Sequence, residues 1–449
     1  MNLSTHVTYT YRDLRLKAIS IIVLVAATSA GLSAPVSAQA ETDGSIYSRF
    51  GIGQRETYSS PRAQAMGGGG LALSSLNFVN HSNPASLATQ VLSRFSGGFT
   101  IEKLTESATG AQESRLASGY LNALQLAFPM KRNKLGIGFS FEPYSRVTYR
   151  VDDAGSVVVD PESDIQESFV TSHRGSGGIQ RLGGGLGAMI TPDLSLGVRA
   201  DFLFGIIEES QLTNFQNIRL RDGNLASSTR LRGLTGTIGI RYVLRSFFKD
   251  QDVLSLGATY TLPVSLSADR VFTMGQREIA DTLGTSLKGD IHLPLALSFG
   301  VAYKPNRLWT FIADIQYEEW STFESDLPLP GYEVGDSEGF SDRVRISGGG
   351  EVYPFGRSSL NLFLQRLAFR LGAYVDQSYV SPNKNQDIKS YGFTGGISIP
   401  GRTGGTSLDI HIDIGRRGTT DHGLIQDKFV RFGVNINFGD LWFDRARLR

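Results

Sequence analysis

The sequence contains no cysteine, which excludes disulfide bonds, thiolate metal sites and cysteine nucleophiles. It also lacks a marked charge imbalance: the formal net charge is +1, so composition gives no argument for nucleic acid as a partner. With 40% hydrophobic and 19% charged residues, the 449-residue chain matches neither a disordered protein nor a helical membrane protein. Glycine is abundant instead, with 52 residues, as expected for tight turns and closely packed strands.

Motifs for catalysis or metal binding are also missing from the sequence. The six histidines are scattered without metal-ligand spacing, and no nucleophile elbow or phosphate-binding loop is present. His81-Ser82-Asn83 resembles a hydrolase site only superficially, because it runs directly into Pro84. We therefore expect no enzymatic activity, no cofactor and no bound metal.

The N-terminus is similar to a secretory signal peptide. Three basic residues precede an apolar run at 18–30, and small residues at 36–40 offer cleavage sites. The run is too short for the roughly 20 apolar residues that a membrane-spanning helix needs. We predict that the signal peptide, residues 1–40, is removed during export. No later segment is long and apolar enough for a membrane helix, so any membrane embedding must use strands.

Apolar and polar residues alternate over most of the chain from Phe95 to Phe438. Between 408 and 414, for example, leucine and isoleucine hold the even positions and polar residues hold the odd ones. A helix cannot keep such a set on one face, because its period is near 3.6, whereas a strand has period two. The pattern predicts about 14 strands. They are expected at 95–104, 120–130, 134–149, 165–190, 194–208, 228–243, 252–266, 291–303, 308–322, 342–355, 366–376, 388–399, 405–415 and 428–438.

Connections between the predicted strands alternate in length. Those after even strands are mostly brief, such as 191–193, and those after odd strands are longer, such as 209–227 and 323–341. A water-soluble antiparallel sandwich also alternates apolar and polar residues, so the period alone leaves it open. Short turns on one rim and long loops on the other are typical of a bacterial outer-membrane barrel. We predict an all-β fold, a transmembrane antiparallel β-barrel at 95–438 with both termini in the periplasm and a C-terminal tail at 439–449.

Residues 41–94 precede the predicted barrel and contain no convincing strand. They are rich in small residues, yet they carry apolar side chains such as Met66, Phe78 and Val79 that must pack against something. A barrel of about 14 strands has a lumen too wide for its own side chains to fill. The segment is therefore predicted to be an N-terminal lumenal plug, with a disordered periplasmic tail as the alternative.

Several motifs resemble the FadL-type outer-membrane transporters of hydrophobic compounds. The sequence AMGGG at 65–69, followed by NPA at 83–85, is similar to that family's N-terminal hatch. The stretches 293–303 and 313–323 resemble its late strands, and 47–53 resembles the variant found in Bacteroidota-like bacteria. These motifs occur in the family's order along nearly the whole mature chain.

The resemblance implies a 14-stranded barrel closed by a hatch, which passes fatty-acid-like or aromatic molecules inward by diffusion. It also implies a lateral opening into the bilayer at a kink in the third strand, where Pro143 stands in this sequence. A strand end or a simple bulge is the alternative reading of this proline. The residues expected to form the hatch and its gate are Met66, Gly67, Gly68, Phe78, Val79, Asn83, Pro84 and Ala85.

Polar residues on the last two predicted strands are expected to face the lumen. Asp409, His411 and Asp413 share one face of a strand, and Arg431 lies on the polar face of the next. Alternate strand residues lie about 7 Å apart and no further ligand is evident, so a lumenal charge network is favoured over a metal site.

These expectations predict an outer-membrane channel for passive uptake of small hydrophobic molecules, with a fatty-acid-like ligand and outer-membrane lipid as its partners. The alternative comes from relatives of this fold in Bacteroidota-like bacteria, the PorV-like scaffolds in protein secretion and surface-protein processing. That function would require a secretion-machinery protein as partner, and exposed apolar patches on ordered loops would favour it. The loops 209–227 and 323–341 are mostly polar, which favours transport.

Overall fold

The computed structural model is a closed antiparallel β-barrel of 14 wall strands, in which the last strand pairs with the first. Among the described residues, no helix is long and apolar enough to cross a membrane. The predicted signal peptide and most of the C-terminal tail lie outside the described part of the chain. The structure describes residues 44–74, 78–110, 113–160, 165–215, 222–276, 279–335, 339–356, 363–382, 386–401 and 405–440.

The wall strands follow one another around the barrel in chain order, and two of them are interrupted. They are β1 Ser93–Ala108, β2 Ser114–Lys131, β3 Leu135–Asp160, β4 Ile165–Met189, β5 Leu194–Phe215, β6 Gly223–Arg245, β7 Val253–Thr261 with Val264–Gln276, β8 Leu287–Leu293 with Ala296–Lys304, β9 Trp309–Glu318, β10 Arg343–Val352, β11 Ala368–Gln377, β12 Lys389–Pro400, β13 Ser407–Arg417 and β14 Ile425–Asp440. Short additional elements at the ends of wall strands are Ile279–Thr282, Trp320–Thr322, Glu324–Ser325, Phe363–Arg366 and Asp421–Gly423.

The fold class predicted from the sequence is confirmed, but the predicted loop at 209–227 is wrong. β5 continues to Phe215 and pairs with β6 from Gly223, so most of the expected loop is a strand hairpin. From Glu209 onward, side chains on both faces of the hairpin are partly exposed. No buried face then imposes alternation on the sequence, although the backbones remain paired.

The barrel wall buries polar side chains and exposes apolar ones, the reverse of a soluble domain. Leu371 and Phe393 are 74% and 75% exposed on the outward face, whereas Glu351 and Arg370 are 1% and 5% exposed on the inward face. An outward apolar surface combined with a polar lumen is the pattern of a barrel that spans a lipid bilayer.

Residues 44–92, called the plug below, contact the inward face of the wall. The plug contains 3-10 helices at Ile46–Arg49 and Pro84–Thr89, a short α-helix at Pro61–Gln64, and a two-residue strand at Gln54–Arg55, called the hatch strand below. Its two proline-led helices begin where the sequence dictates, because a side-chain oxygen caps each of them just before the proline.

Wall glycines let the plug backbone approach closely at two places. A Cβ atom on Gly197 of β5 would lie 2.3 Å from Ala85 N and 2.6 Å from Pro84 O. On the other side of the lumen, a Cβ on Gly372 of β11 would lie 2.3 Å from the carbonyl carbon of Met66. Backbone atoms cannot rotate away as a flexible side chain can, so these glycines define where the plug docks.

We predict that Gly197→Ala lowers the thermal stability of the barrel–plug unit, because overpacking at a close backbone contact typically costs about 1–3 kcal/mol. The measurement is the temperature at which the folded, fast-migrating form is lost on gel electrophoresis. Gly184→Ala is the matched control, since its Cβ would meet only the Phe139 ring at 3.7 Å. Equal melting temperatures for both variants would contradict the docking role of Gly197.

Candidate functional site

A glycine-rich turn of the plug is held by side chains of the wall. Gly67, Gly68 and Gly70 have φ values of +89°, +83° and +98°, the left-handed region that only glycine adopts readily. Gly67 N–H donates to Thr394 Oγ1 at 2.8 Å, and its carbonyl accepts from Arg345 Nη2 at 2.9 Å. Two of the predicted hatch glycines therefore lie in this turn.

Asp314 of β9 is the wall residue that binds the same turn most directly. Its Oδ2 accepts from Gly70 N–H at 2.7 Å and its Oδ1 from Leu71 N–H at 2.8 Å. The side chain is nearly buried, with 5% of the residue exposed. Hydrogen bonds to a charged acceptor contribute roughly 1.5–3 kcal/mol each, so this carboxylate is a principal anchor of the plug.

The plug helix Pro84–Thr89 is fixed to the opposite side of the wall. Asn83 Nδ2 donates to the Ile240 carbonyl at 2.9 Å, and Asn83 Oδ1 accepts from Ala85 N–H at 3.0 Å. Pro84 lies against Gly187, Gly197 and Gly239 of three successive wall strands. The predicted hatch residues Asn83, Pro84 and Ala85 thus form a second docking point.

The apolar hatch residues lie in separate small clusters. Met66 and Phe78 pack together with Ala302 and Ile312 of the wall, whereas Val79 packs against another group that includes Ala127. These side chains anchor different halves of the plug to different strands.

The tripeptide His81-Ser82-Asn83 does not form a hydrolase arrangement. Ser82 Oγ donates to Asn80 Oδ1 at 2.6 Å, and His81 Nε2 lies 3.3 Å from the Leu126 carbonyl. Burial, followed by the nearby Arg199 guanidinium, lowers the pKa of His81 to about 3, so its imidazole is neutral at ordinary pH.

A gap opens in the wall between β2 and β3. The two strands pair only from Leu124–Phe141 to Lys131–Leu135, and the rest of β2 pairs only with β1. The separation coincides with Pro143, where the pairing of β3 with β4 also shifts register. The third strand is therefore irregular at the residue where the resemblance implied a lateral opening.

The plug occupies the edge of β3 that β2 leaves. In the hatch strand, Gln54 pairs with Arg146 and Arg55 with Ser145. Glu56 N–H extends the pairing by donating to the Tyr144 carbonyl at 3.1 Å. A short piece of plug thus replaces the missing wall neighbour.

Further along the same edge, Ser48 continues the contact between plug and β3. Its hydroxyl donates to the Thr148 carbonyl at 2.7 Å and accepts from the Thr148 N–H at 3.0 Å. The plug therefore covers the β3 edge from Tyr144 to Thr148.

Arg146 links all sides of the gap. Its Nε lies 2.6 Å from Glu56 of the plug, its Nη2 lies 3.3 Å from Glu102 of β1, and its guanidinium carbon lies 3.6 Å from the ring centre of Tyr120 on β2. A single side chain from β3 thus contacts the plug and both strands on the far side of the gap. Sequence reasoning missed this residue because its partners come from three distant segments.

A polar lumenal cavity borders the gap. Guanidinium, carboxylate and phenol groups from plug and wall share its lining, and Pro143 lies at its edge. The lining includes Arg55, Glu56, Tyr58, Tyr120, Asn122, Pro143, Arg343, Arg345 and Asp376.

An apolar group, called the aromatic cluster below, fills the barrel end at which the strand hairpins extend. Trp320 and Tyr379 stack with ring centres 4.0 Å apart, and Phe340 meets Tyr379 edge-on at 5.1 Å. Ile52, which lies two residues before the hatch strand, belongs to the same buried group as these rings. The hatch strand therefore lies between an apolar region and the polar cavity.

Of the four residues of the predicted lumenal charge network, Asp413 and Arg431 pair with each other, and Asp409 has a partner outside the predicted set. Arg431 Nη1 lies 3.1 Å from Asp413, and Asp409 pairs with Arg370 at 2.5 Å. His411 is buried, with Nδ1 3.5 Å from Asn435 Nδ2. Within the described ranges, no group of acidic and histidine side chains could hold a metal ion.

Two further members of this network, Glu351 and Glu102, were missed. Glu351 bridges Arg370 at 2.9 Å and plug residue Arg62 at 2.5 Å. Both glutamates lie on inward faces of their strands, so the alternating pattern could have identified them as lumenal. It could not have identified the residues with which they pair.

We predict that Asp314→Asn loosens the glycine turn, because an amide offers one oxygen where the carboxylate binds two N–H donors. Hydrogen–deuterium exchange at Gly70 and Leu71 should become faster while the wall strands stay protected. Asp413→Asn is the control, since this carboxylate accepts hydrogen bonds from Tyr374 and Arg431, which are both residues of the wall. Unchanged exchange at both glycine-turn amides would contradict the anchoring role.

The fold is shared with structurally characterised channels. The CymD monoaromatic hydrocarbon channel matches with a TM-score of 0.53 and 14% identity, over 88% of this chain and 100% of its own. The Pseudomonas putida toluene transporter TodX matches with a TM-score of 0.53 and 17% identity, over 87% and 100%. A Pseudomonas aeruginosa FadL homologue matches with a TM-score of 0.53 and 12% identity, over 86% and 99%.

The FadL-type fold implied by the sequence motifs is therefore confirmed. No curated protein matches the sequence. The model of the BamG family matches residues 16–449, which is nearly the entire sequence. The chain belongs to the BamG family.

Proposed function

We propose that this protein is an outer-membrane channel through which small hydrophobic molecules diffuse, with the plug as its gate. The outward apolar face supports a position in a lipid bilayer, and we assign the short turns and both termini to the periplasmic side. The structurally similar TodX and CymD, described as a toluene transporter and a monoaromatic hydrocarbon channel, support this class of ligand.

The observation that carries the proposal is the gap between β2 and β3. A continuous ladder would seal the wall, since each paired rung is held by backbone hydrogen bonds. Here the β3 edge is covered by the hatch strand, a two-residue element that belongs to the plug. Displacing Gln54 and Arg55 from β3 would connect the lumen sideways to the membrane.

The polarity of the interior gives the passage a direction. A hydrophobic molecule would first meet the aromatic cluster at the hairpin end and then the polar cavity beside the gap. Each CH₂ group that leaves polar surroundings for lipid gains roughly 0.8 kcal/mol. The polar cavity would therefore not retain such a ligand, and lateral release through the gap would be favourable.

The secretion-scaffold alternative would be favoured by exposed apolar patches on ordered loops, but most described apolar side chains of the loop after β9 are buried, with Val334 exposed. In the loop after β9, Leu327, Leu329 and Tyr332 are buried, and they belong to the same cluster as Phe340. These side chains therefore pack within the protein, and their apolar surface is not available to a partner.

We predict that Arg146→Gln increases uptake of a small aromatic probe, because the substitution releases Glu56 and Tyr120 from the charge that links them across the gap. The measurement is the rate of N-phenylnaphthylamine fluorescence gain in intact Gram-negative cells that express the protein. Arg150→Gln, on the same strand but paired with Asp152 near the surface, is the control and should leave uptake unchanged. A rate equal to wild type for Arg146→Gln would argue against the gap as the passage.

We predict that a disulfide between Arg55→Cys and Ser145→Cys slows uptake, since it ties the hatch strand to its paired position on β3. Because the chain has no native cysteine, oxidation acts on this pair alone. Reduction with dithiothreitol should restore the rate of the same sample.

The matched control for this disulfide is Gln125→Cys with Ser140→Cys, which joins β2 to β3 where the two strands are already paired. Oxidation of this control should have no effect on uptake. If cells that express the wild-type protein take up no more probe than cells without it, the proposed channel function is wrong.

A further inference from the structure

A second interruption of the wall lies between β7 and β8. Thr261 pairs with Ala296 on one side of it and Val264 with Leu293 on the other. The four residues between these pairs, called the second seam below, are Leu262, Pro263, Pro294 and Leu295. Two prolines thus stand opposite each other, and neither has an N–H to donate across the seam.

The backbone groups beside these prolines bond away from the seam. Leu262 N–H donates to Gly236 of β6 at 2.9 Å, and the Leu262 carbonyl accepts from Thr235 Oγ1 at 2.8 Å. On the other strand, the Leu295 carbonyl accepts from Glu319 N–H at 3.3 Å. All four seam residues are described, and no backbone hydrogen bond joins them across β7 and β8.

The direction of the side chains also changes at the second seam. In β7 the inward positions are odd before it, as at Thr259, and even after it, as at Leu266. In β8 Ile291 is buried, but Phe299, at another odd position, is 47% exposed. Both strands therefore switch faces at the same height, which a continuous ladder does not allow.

The second seam lies at the outer edge of the apolar band. Leu262 is the tenth residue of β7 from Val253, and a tilted strand rises about 2.5 Å per residue along the barrel axis, so the seam is roughly 25 Å from the turn rim. Pro143 is the ninth residue of β3 from Leu135, at a comparable height. The two interruptions thus lie at different positions around the barrel and at a similar depth in the membrane.

A lumenal cavity reaches the second seam from inside. Leu262, Val264 and Pro294 line it together with hatch-strand residue Arg55 and with Tyr144 of β3. Leu262 is also 43% exposed, so this side chain lies at both the cavity and the surface. The hatch strand therefore borders the path to the second seam as well as the gap at β3.

We propose that the second seam is a further lateral passage, through which a small hydrophobic molecule moves between the lumen and the outer part of the membrane. This inference rests on the proposed channel function. Separation of β7 and β8 at this height would break no backbone hydrogen bond between the seam residues, and the apolar side chains of Leu262 and Val264 would line the path.

The test is a disulfide between Leu262→Cys and Leu295→Cys, which occupy opposite positions in the otherwise cysteine-free chain. Uptake of N-phenylnaphthylamine by intact cells is compared for the oxidised and reduced forms of the same variant. Oxidation should lower the uptake rate, and dithiothreitol should restore it. If oxidised and reduced protein admit the probe equally, while wild type is active, the second passage is overturned and the channel function stands.

The matched control is Tyr260→Cys with Leu297→Cys, an outward-facing pair two rungs away in the regular ladder. Its oxidation should leave uptake unchanged, and a loss there equal to the loss at the seam would overturn the proposal. Leu262→Trp tests the same site without a cross-link and should also slow uptake in a folded barrel. Wild-type protein without uptake activity would refute the channel function, and the second passage with it.

Discussion

Every backbone N–H and C=O in a membrane-spanning sheet needs a partner, because lipid supplies none. Most of this barrel meets that requirement by pairing each strand with its neighbour in the chain. Beyond Phe141, β3 no longer pairs with β2, and the plug residues Gln54, Arg55 and Ser48 bond to its edge instead. The plug is therefore part of the wall as well as the filling of the lumen, and its position follows from an unpaired strand edge.

Buried charges determine the orientation of the plug more than they stabilise it. Removing two charges from water costs several kcal/mol, which their attraction only partly offsets, so a buried ion pair is weak evidence for stability. Glu351, however, joins Arg62 of the plug to Arg370 of the wall, and a plug shifted by one residue would leave at least one of these charges buried and unpaired. This penalty against wrong positions explains why so polar an interface can still be specific.

The sequence is informative wherever the physics is local. Alternation identifies the wall strands because one face of each must be apolar, and Asn83-Pro84 indicates a helix start because the cap and the proline act on their own neighbours. Pro143 alone indicates only an irregular strand, and the lateral opening there was implied by the resemblance to the FadL-type transporters. The partners of Arg146 could not be found this way, since they lie up to 90 residues away and depend on register.

The second seam also shows that the sequence does not reveal which residues the strand register brings together. Pro263 and Pro294 are visible in the sequence, but each alone predicts only a weak point in a strand. Their significance arises from the register that places them opposite each other. Likewise, the glycines that accept the plug are recognisable by type, but the plug residue that each one admits is a property of the assembled barrel.

The contacts of the plug also constrain the order in which the molecule assembles. Ser45 Oγ donates to Asp427 Oδ2 at 2.5 Å, a bond between residues 382 positions apart that joins the first described residues to the last wall strand. The plug is synthesised first, yet its complete set of partners exists only after β14 has been made. Loop-closure entropy makes such distant contacts late to form. The plug therefore docks completely only after the last wall strand has formed, and its docking accompanies the closure of the barrel.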